Sequence, residues 1–335
     1  MHTKTRFSVA ALSTGLLVTA LAIPSAAQDV EGTVDIHGSS TVAPISLAVA
    51  ETFAETNPGF GFFVGEEGTG DGFAQFFCVD NSDISDASRA IKEEESALCA
   101  ESGVEYAELK VGYDGLAVIT SPENPIECLN QYDLWALFGA ESNDITTWQD
   151  AGAFAAEMGS TTVFPEGDIA ITAPGTESGT YDSFVELALG GVAEERGVEA
   201  GTRDPVPPTY VGAANDLVII QGVSQFPTSI GFVGLAYAEN AGDTVKIVAV
   251  DEGEGCVAAS PETVADGTYA LSRPLFIYPA LNRLASNPAI GPFVDFYLSD
   301  EGMAKVAEVG YVQMPAEEIE ATRAAWAEAS GAAAQ

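Results

Sequence analysis

Val34-Asp35-Ile36-His37-Gly38-Ser39-Ser40-Thr41-Val42-Ala43-Pro44-Ile45 runs from a β-type stretch through one glycine and three hydroxyls into a helix start. Pro44 is tolerated in a first helical turn, and beyond it Ile45, Val49 and Phe53 fall on one helical face. Glycine lets backbone approach a ligand, hydroxyls donate hydrogen bonds, and the free N–H groups of a first turn attract anions. Two further segments, Gly68-Thr69-Gly70 and Gly175-Thr176-Glu177-Ser178-Gly179-Thr180, repeat this chemistry and also lead into helical patterns. Working outward, β-type runs are expected at 34–37, 109–120, 168–172, 230–233, 245–250 and 275–278. Tyr181, Phe184, Val185 and Ala188 form one apolar helical face, and Phe293, Phe296 and Tyr297 another. Strand, glycine turn and helix in alternation describe an α/β protein with ligand sites at strand ends. The Ala-rich tail 330–335 reads as frayed.

The N-terminus carries Lys4 and Arg6, an apolar run from Phe7 to Ile23, and then Pro24-Ser25-Ala26-Ala27. This is the pattern of an export signal over residues 1–27 with cleavage before Gln28, and the run is shorter than the roughly 20 apolar residues of a membrane span. The 335-residue chain has a formal net charge of −38, and loss of Lys4 and Arg6 takes it to −40. Such a surface excludes nucleic acid and anionic membrane as natural partners. It does not exclude a small anion, because the Debye length is about 8 Å at 0.15 M salt and local donors govern a buried site. Residues 28–335 exceed what one core usually holds, so two domains are expected. Four cysteines in an exported chain imply two disulfides; of three possible pairings we expect Cys78 with Cys99 and Cys128 with Cys256. Their spacing matches no zinc knuckle, and no cofactor motif is present.

Several ordered motifs together resemble the periplasmic phosphate-binding protein family of high-affinity phosphate ABC transporters, in the subgroup that often carries a Ser-Arg pair. They are Gly38-Ser39-Ser40-Thr41-Val42-Ala43-Pro44, Gly68-Thr69-Gly70-Asp71-Gly72-Phe73, Asp83-Ile84-Ser85-Asp86-Ala87-Ser88-Arg89, Tyr113-Asp114-Gly115-Leu116-Ala117-Val118, Gly175 through Phe184, Gln221-Gly222-Val223, Gly231-Phe232-Val233-Gly234 and Leu271 through Tyr278. The similarity extends to Val309-Gly310-Tyr311-Val312 and so covers the exported chain. It implies a two-lobed type II periplasmic-binding-protein fold, with phosphate in a cleft between lobes joined by two crossing segments. Lobe one would comprise 28–113 and 270–335, and lobe two 114–269. It also implies a monomer that hands inorganic phosphate to a permease with a separate ATPase subunit and meets the membrane only there.

Carried over by position, the ligand set is Ser40, Thr41, Val42, Thr69, Ser88, Arg89, Ser178, Gly179 and Thr180. Thr41 would give its hydroxyl and Val42 its N–H, with Ser178, Gly179 and Thr180 donating from the opposite lobe. Where some relatives place an aspartate after the Ala-Ser, this chain has Arg89, and where they place an arginine four residues before the Ser-Gly-Thr it has Pro174. Arg89 is therefore expected to be the fixed cation of the site. The missing aspartate removes an acceptor for protonated phosphate; Asp71, where the family usually has glycine, could restore one, but the expectation for it is a solvated loop acid. Arg273 is expected to brace the return crossing. Two other readings stand beside this one. A hydrolase would set His37 beside Ser39 or Ser40, although no Gly-x-Ser-x-Gly turn surrounds them. A receptor for sulfate, molybdate or arsenate would use the same donors.

Overall fold

β4 (Leu109–Thr120), at 12 residues, is the strand on which the architecture turns. In this computed structural model, which describes residues 1–2, 30–176, 178–206 and 208–333, its two ends belong to different parts of one long sheet. Residues 109–115 pair antiparallel with β11 (Ser272–Pro279), while 116–120 pair antiparallel with β8 (Ser229–Gly234). On the β11 side lie β3 (Ile84–Ala87), β1 (Gly32–Gly38) and β2 (Phe60–Val64), with β1 parallel to both β2 and β3. On the β8 side lie β6 (Ala170–Ala173) and β7 (Tyr210–Gly212), both parallel. β9 (Lys246–Asp251) also pairs with β4 and carries β5 (Cys128–Asn130) and β10 (Cys256–Val257). The chain thus crosses once on β4 and returns on β11, giving a two-lobed α/β fold.

Parallel strands deliver the glycine motifs. The C-terminal ends of β1, β3 and β6 lead into Ser39, Ser88 and Pro174, so three segments far apart in sequence begin at equivalent ends of strands. The expected apolar faces anchor them. Ile45, Val49 and Phe53 are buried on helix Ala43–Thr56, with Pro44 in its first turn. Phe53 meets Phe60 edge-on at 4.8 Å, and Phe60 stacks on Phe293 at 5.3 Å. In the other lobe Phe184 stacks on Phe232 at 3.8 Å and meets Phe138 edge-on at 5.1 Å. Each such ring contributes about 1.5–3 kcal/mol through burial, and this one fixes the rotation of helix Gly179–Phe184 and of the π-helical turn Val185–Leu189 that continues it.

Disulfides join Cys78 to Cys99 and Cys128 to Cys256. The second links β5 to β10 across β9. The tail expected to fray is helical instead through Ala333, as part of Ala316–Ala333, with Trp326 buried and donating its indole N–H to Asp295 at 2.7 Å. The export signal expected at 1–27 lies, from residue 3 onward, outside the described residues. Among those described, no helix is long and apolar enough to cross a membrane.

Candidate functional site

Gly38 ends β1 at φ +134°, and a Cβ there would stand 2.2 Å from the Asp86 carbonyl oxygen. Only glycine lets β1 and β3 close at this point. The Ser39 N–H donates to that same carbonyl at 2.9 Å, and Gly68 N–H donates to the Gly38 carbonyl at 2.8 Å. These contacts bring the first two glycine motifs against the end of β3. Thr69 then accepts the Ser88 N–H at 3.1 Å and stands 3.2 Å from the Ser88 hydroxyl.

The resulting cavity, of ≈240 Å³, is lined by Ser39, Ser40, Thr41, Gly68, Thr69, Gly70, Ser88, Arg89, Asp182, Glu186 and Arg273. A second space, lined by Ser40, Pro44, Glu66, Glu67, Gly68, Thr176, Gly179 and Asp182, adjoins it through Ser40, Gly68 and Asp182. Of the nine residues expected from sequence, Ser40, Thr41, Thr69, Ser88 and Arg89 line the inner cavity and Gly179 the outer space. Val42 lines neither: its side chain is buried and its N–H donates to the Ser39 carbonyl at 3.1 Å. Ser178 and Thr180 also line neither; the Ser178 hydroxyl caps its helix by accepting the Thr180 N–H at 3.2 Å. Asp71 is exposed and outside both spaces.

Two guanidiniums reach the inner cavity, held in different ways. Arg89 forms a fork on Glu95, with hydrogen bonds of 2.7 and 2.8 Å. Glu95 in turn accepts the Lys92 N–H at the start of helix Glu93–Ser102. The Glu95 hydrogen bonds raise the Arg89 pKa above its ordinary value against the opposing effect of burial. For Glu95, burial pushes upward, but the bonds from Arg89 and Lys92 leave its carboxyl below the usual range. Arg273, on β11, is only 8% exposed. It donates to the Thr41 hydroxyl at 3.2 Å, to the Ser183 hydroxyl at 2.8 Å, to Asp114 at 3.3 Å and to Glu186. Thr41 belongs to the β1 loop and Ser183 to the helix that follows the Ser-Gly-Thr, so one side chain ties the two lobes together. Arg273 thus braces the crossing strands through Asp114, as the sequence led us to expect, but it also lines the cavity.

Sequence reasoning passed over Arg273, Asp182 and Glu186 as cavity residues. A signal for the last two existed: they stand four apart on the helical stretch after Thr180, on one face. The Asp182 carboxylate has no hydrogen-bond partner among the described residues. Its pKa is raised, by burial first, with Glu186 adding to the shift and Arg273 opposing it. Asp114 is likewise raised by burial, against the pull of Arg273. His37 stands 2.8 Å from Glu67 through Nδ1 and stacks on Phe76 at 4.0 Å, so the described geometry gives it a carboxylate partner and not a serine.

Comparison with known proteins places this geometry in a lineage. The family described as the PBP superfamily domain matches residues 24–301. Protein SphX of Synechococcus elongatus is 37% identical over 286 residues, covering 84% of this chain and 78% of SphX. Phosphate-binding protein PstS of Staphylococcus epidermidis is 31% identical over 290 residues, covering 86% of this chain and 81% of PstS. A crystal structure of a possible phosphate binding protein from Planctomyces limnophilus superposes with a TM-score of 0.78 at 34% identity, over 90% of this chain and 99% of that one. Because the match runs through both crossing strands and every glycine motif, the chain belongs to the PBP superfamily, in the family that includes SphX and PstS.

Proposed function

We propose that this protein captures inorganic phosphate in the cavity around Arg273 and delivers it to an ABC transporter permease. The observation that carries this reading is the cavity itself. Hydroxyls from two glycine motifs, a further one from Ser88 and two guanidiniums converge on a space suited to a small tetrahedral anion. A desolvated oxyanion needs many directed donors; here they come from lobe-one segments, while lobe two closes the cavity with the carboxylates of Asp182 and Glu186. Ligand contacts made on both sides of the cleft favour the closed form, which is the state a permease would read. The sequence holds no Gly-x-x-x-x-Gly-Lys-Ser/Thr loop, so nucleotide hydrolysis falls to a partner. The lobes are assigned as 28–113 with 270–335, and 114–269, supported by the change of β4 partner between Gly115 and Leu116.

Asp182 supplies the selectivity. An unpartnered carboxylate facing a cavity of donors suits a ligand that itself carries a hydrogen, which phosphate does at neutral pH and sulfate does not. Calorimetric titration with phosphate and with sulfate tests both statements. Arg273→Ala should weaken phosphate binding by about 10- to 100-fold, the weight of a hydrogen bond to a charged group at 1.5–3 kcal/mol. Asp182→Asn should lower the ratio of phosphate to sulfate affinity. Unchanged phosphate affinity in Arg273→Ala would remove the cavity from consideration as the binding site.

A further inference from the structure

Arg273 carries more negative charge than its position requires. It stands directly opposite Asp114 in the β4–β11 ladder, and that carboxylate, 2% exposed, accepts from Nε at 3.3 Å. This pair alone balances the guanidinium. Nη2 is taken by the Thr41 and Ser183 hydroxyls. The remaining terminal nitrogen, Nη1, donates to Glu186, whose side chain is 64% exposed and lines the same cavity. Three partners on three elements already hold the arginine, so Glu186 is not needed to position it. Nor is Glu186 anchored in turn, since among the described residues its side chain hydrogen-bonds to Arg273 alone, whereas the Arg89 partner Glu95 is pinned at a helix N-terminus.

We propose that Glu186 is a resident competitor for the cavity nitrogen of Arg273, an affinity-setting residue that an incoming oxyanion must displace toward solvent. The inference rests on the phosphate reading above. A phosphate oxygen and the Glu186 carboxylate claim the same N–H, and two anions on one cation repel each other at close range. The carboxylate also links lobe two to β11, so its departure exchanges a protein contact for a ligand contact at the same atom. The trade lowers affinity relative to a cavity without the acid, and it eases release.

Calorimetry and stopped-flow dissociation with inorganic phosphate test this on the full chain, comparing native protein with Glu186→Gln and Glu186→Ala. Both variants should bind phosphate about fivefold more tightly, the equilibrium weight of a solvent-exposed ion pair, with slower dissociation. Glu186 is exposed, so neither substitution opens a hole in the core, and thermal unfolding of each variant checks that it folds. Affinity that is unchanged or weaker in both folded variants, with native protein still binding, overturns the competitor role and leaves the phosphate reading intact. Absence of phosphate binding by the native protein and both variants overturns the two together.

Discussion

Asp86 is fully buried on β3, directly behind the first glycine motif. It accepts a hydrogen bond from the Ser46 hydroxyl at 2.9 Å, and Ser46 lies 3.1 Å from the Tyr297 hydroxyl. Burial pushes its carboxyl up to about 8 from an ordinary 3.8, with Ser46 pulling the other way. Between those values the folded chain holds a proton that the unfolded chain has released, so this group costs about 1.4 kcal/mol of stability for each unit of rising pH. Below about pH 4 both states are protonated and the cost vanishes; above about pH 8 it is constant. Asp86→Asn, a near-isostere of the protonated acid, should therefore gain in melting temperature relative to the native protein from pH 5 to pH 8. A difference that stays flat across that range would mean that the carboxyl is ionised in the fold. The same scale explains what the sequence hid. Arg89 and Arg273 both sit in recognisable motifs, but their roles depend on distant partners: Thr41 lies 232 residues from Arg273, and Asp114 lies 159. No local pattern distinguishes an arginine forked on a neighbouring glutamate from one that joins two lobes.

At the scale of elements, Gly38 joins strand register to the cavity. Its backbone conformation disfavours a side chain, and an added Cβ would collide with a β3 carbonyl. Gly38→Ala should cost about 2 kcal/mol or more of stability and weaken phosphate binding, because Ser39 to Thr41 must then move off the end of β3. Chemical denaturation and calorimetry on one preparation check both effects; full stability with native affinity would show that the loop tolerates the residue. β4 was legible to both of its ends, since a 12-residue strand buried everywhere except at Lys110 leaves little ambiguity. β11 was legible only in its centre, because Ser272 and Arg273 are polar yet belong to the strand. β3 escaped because two of its four buried residues, Ser85 and Asp86, are polar. β2 reads Phe-Gly-Phe-Phe-Val without alternation, and β5, β7 and β10 are three residues or fewer. The glycine motifs gave the cavity's lobe-one wall; the wall from lobe two came from a helix whose acids read, in sequence, as two more among fifty.

The whole molecule sets a net charge of −38 around a cavity proposed to bind an anion, and salt separates the two consequences. Exposed carboxylates repel one another through solvent, so their mutual cost falls as the Debye length shrinks from about 10 Å at 0.1 M to about 3 Å at 1 M. The melting temperature should accordingly climb with sodium chloride over that range. The donors of the cavity act at hydrogen-bond distance, and Arg89 and Arg273 are each fixed by contacts of 2.7–3.3 Å that a mobile ion atmosphere screens little. Phosphate affinity should therefore change by less than about threefold over the same range, as the cavity's potential is set by groups inside the screening distance. Repulsion by the outer acids would have the opposite signature, a steep tightening of phosphate binding as salt rises. If calorimetry shows affinity rising in step with melting temperature, the surface field reaches the cavity, and Arg273 with its hydroxyl partners does not insulate the ligand from it.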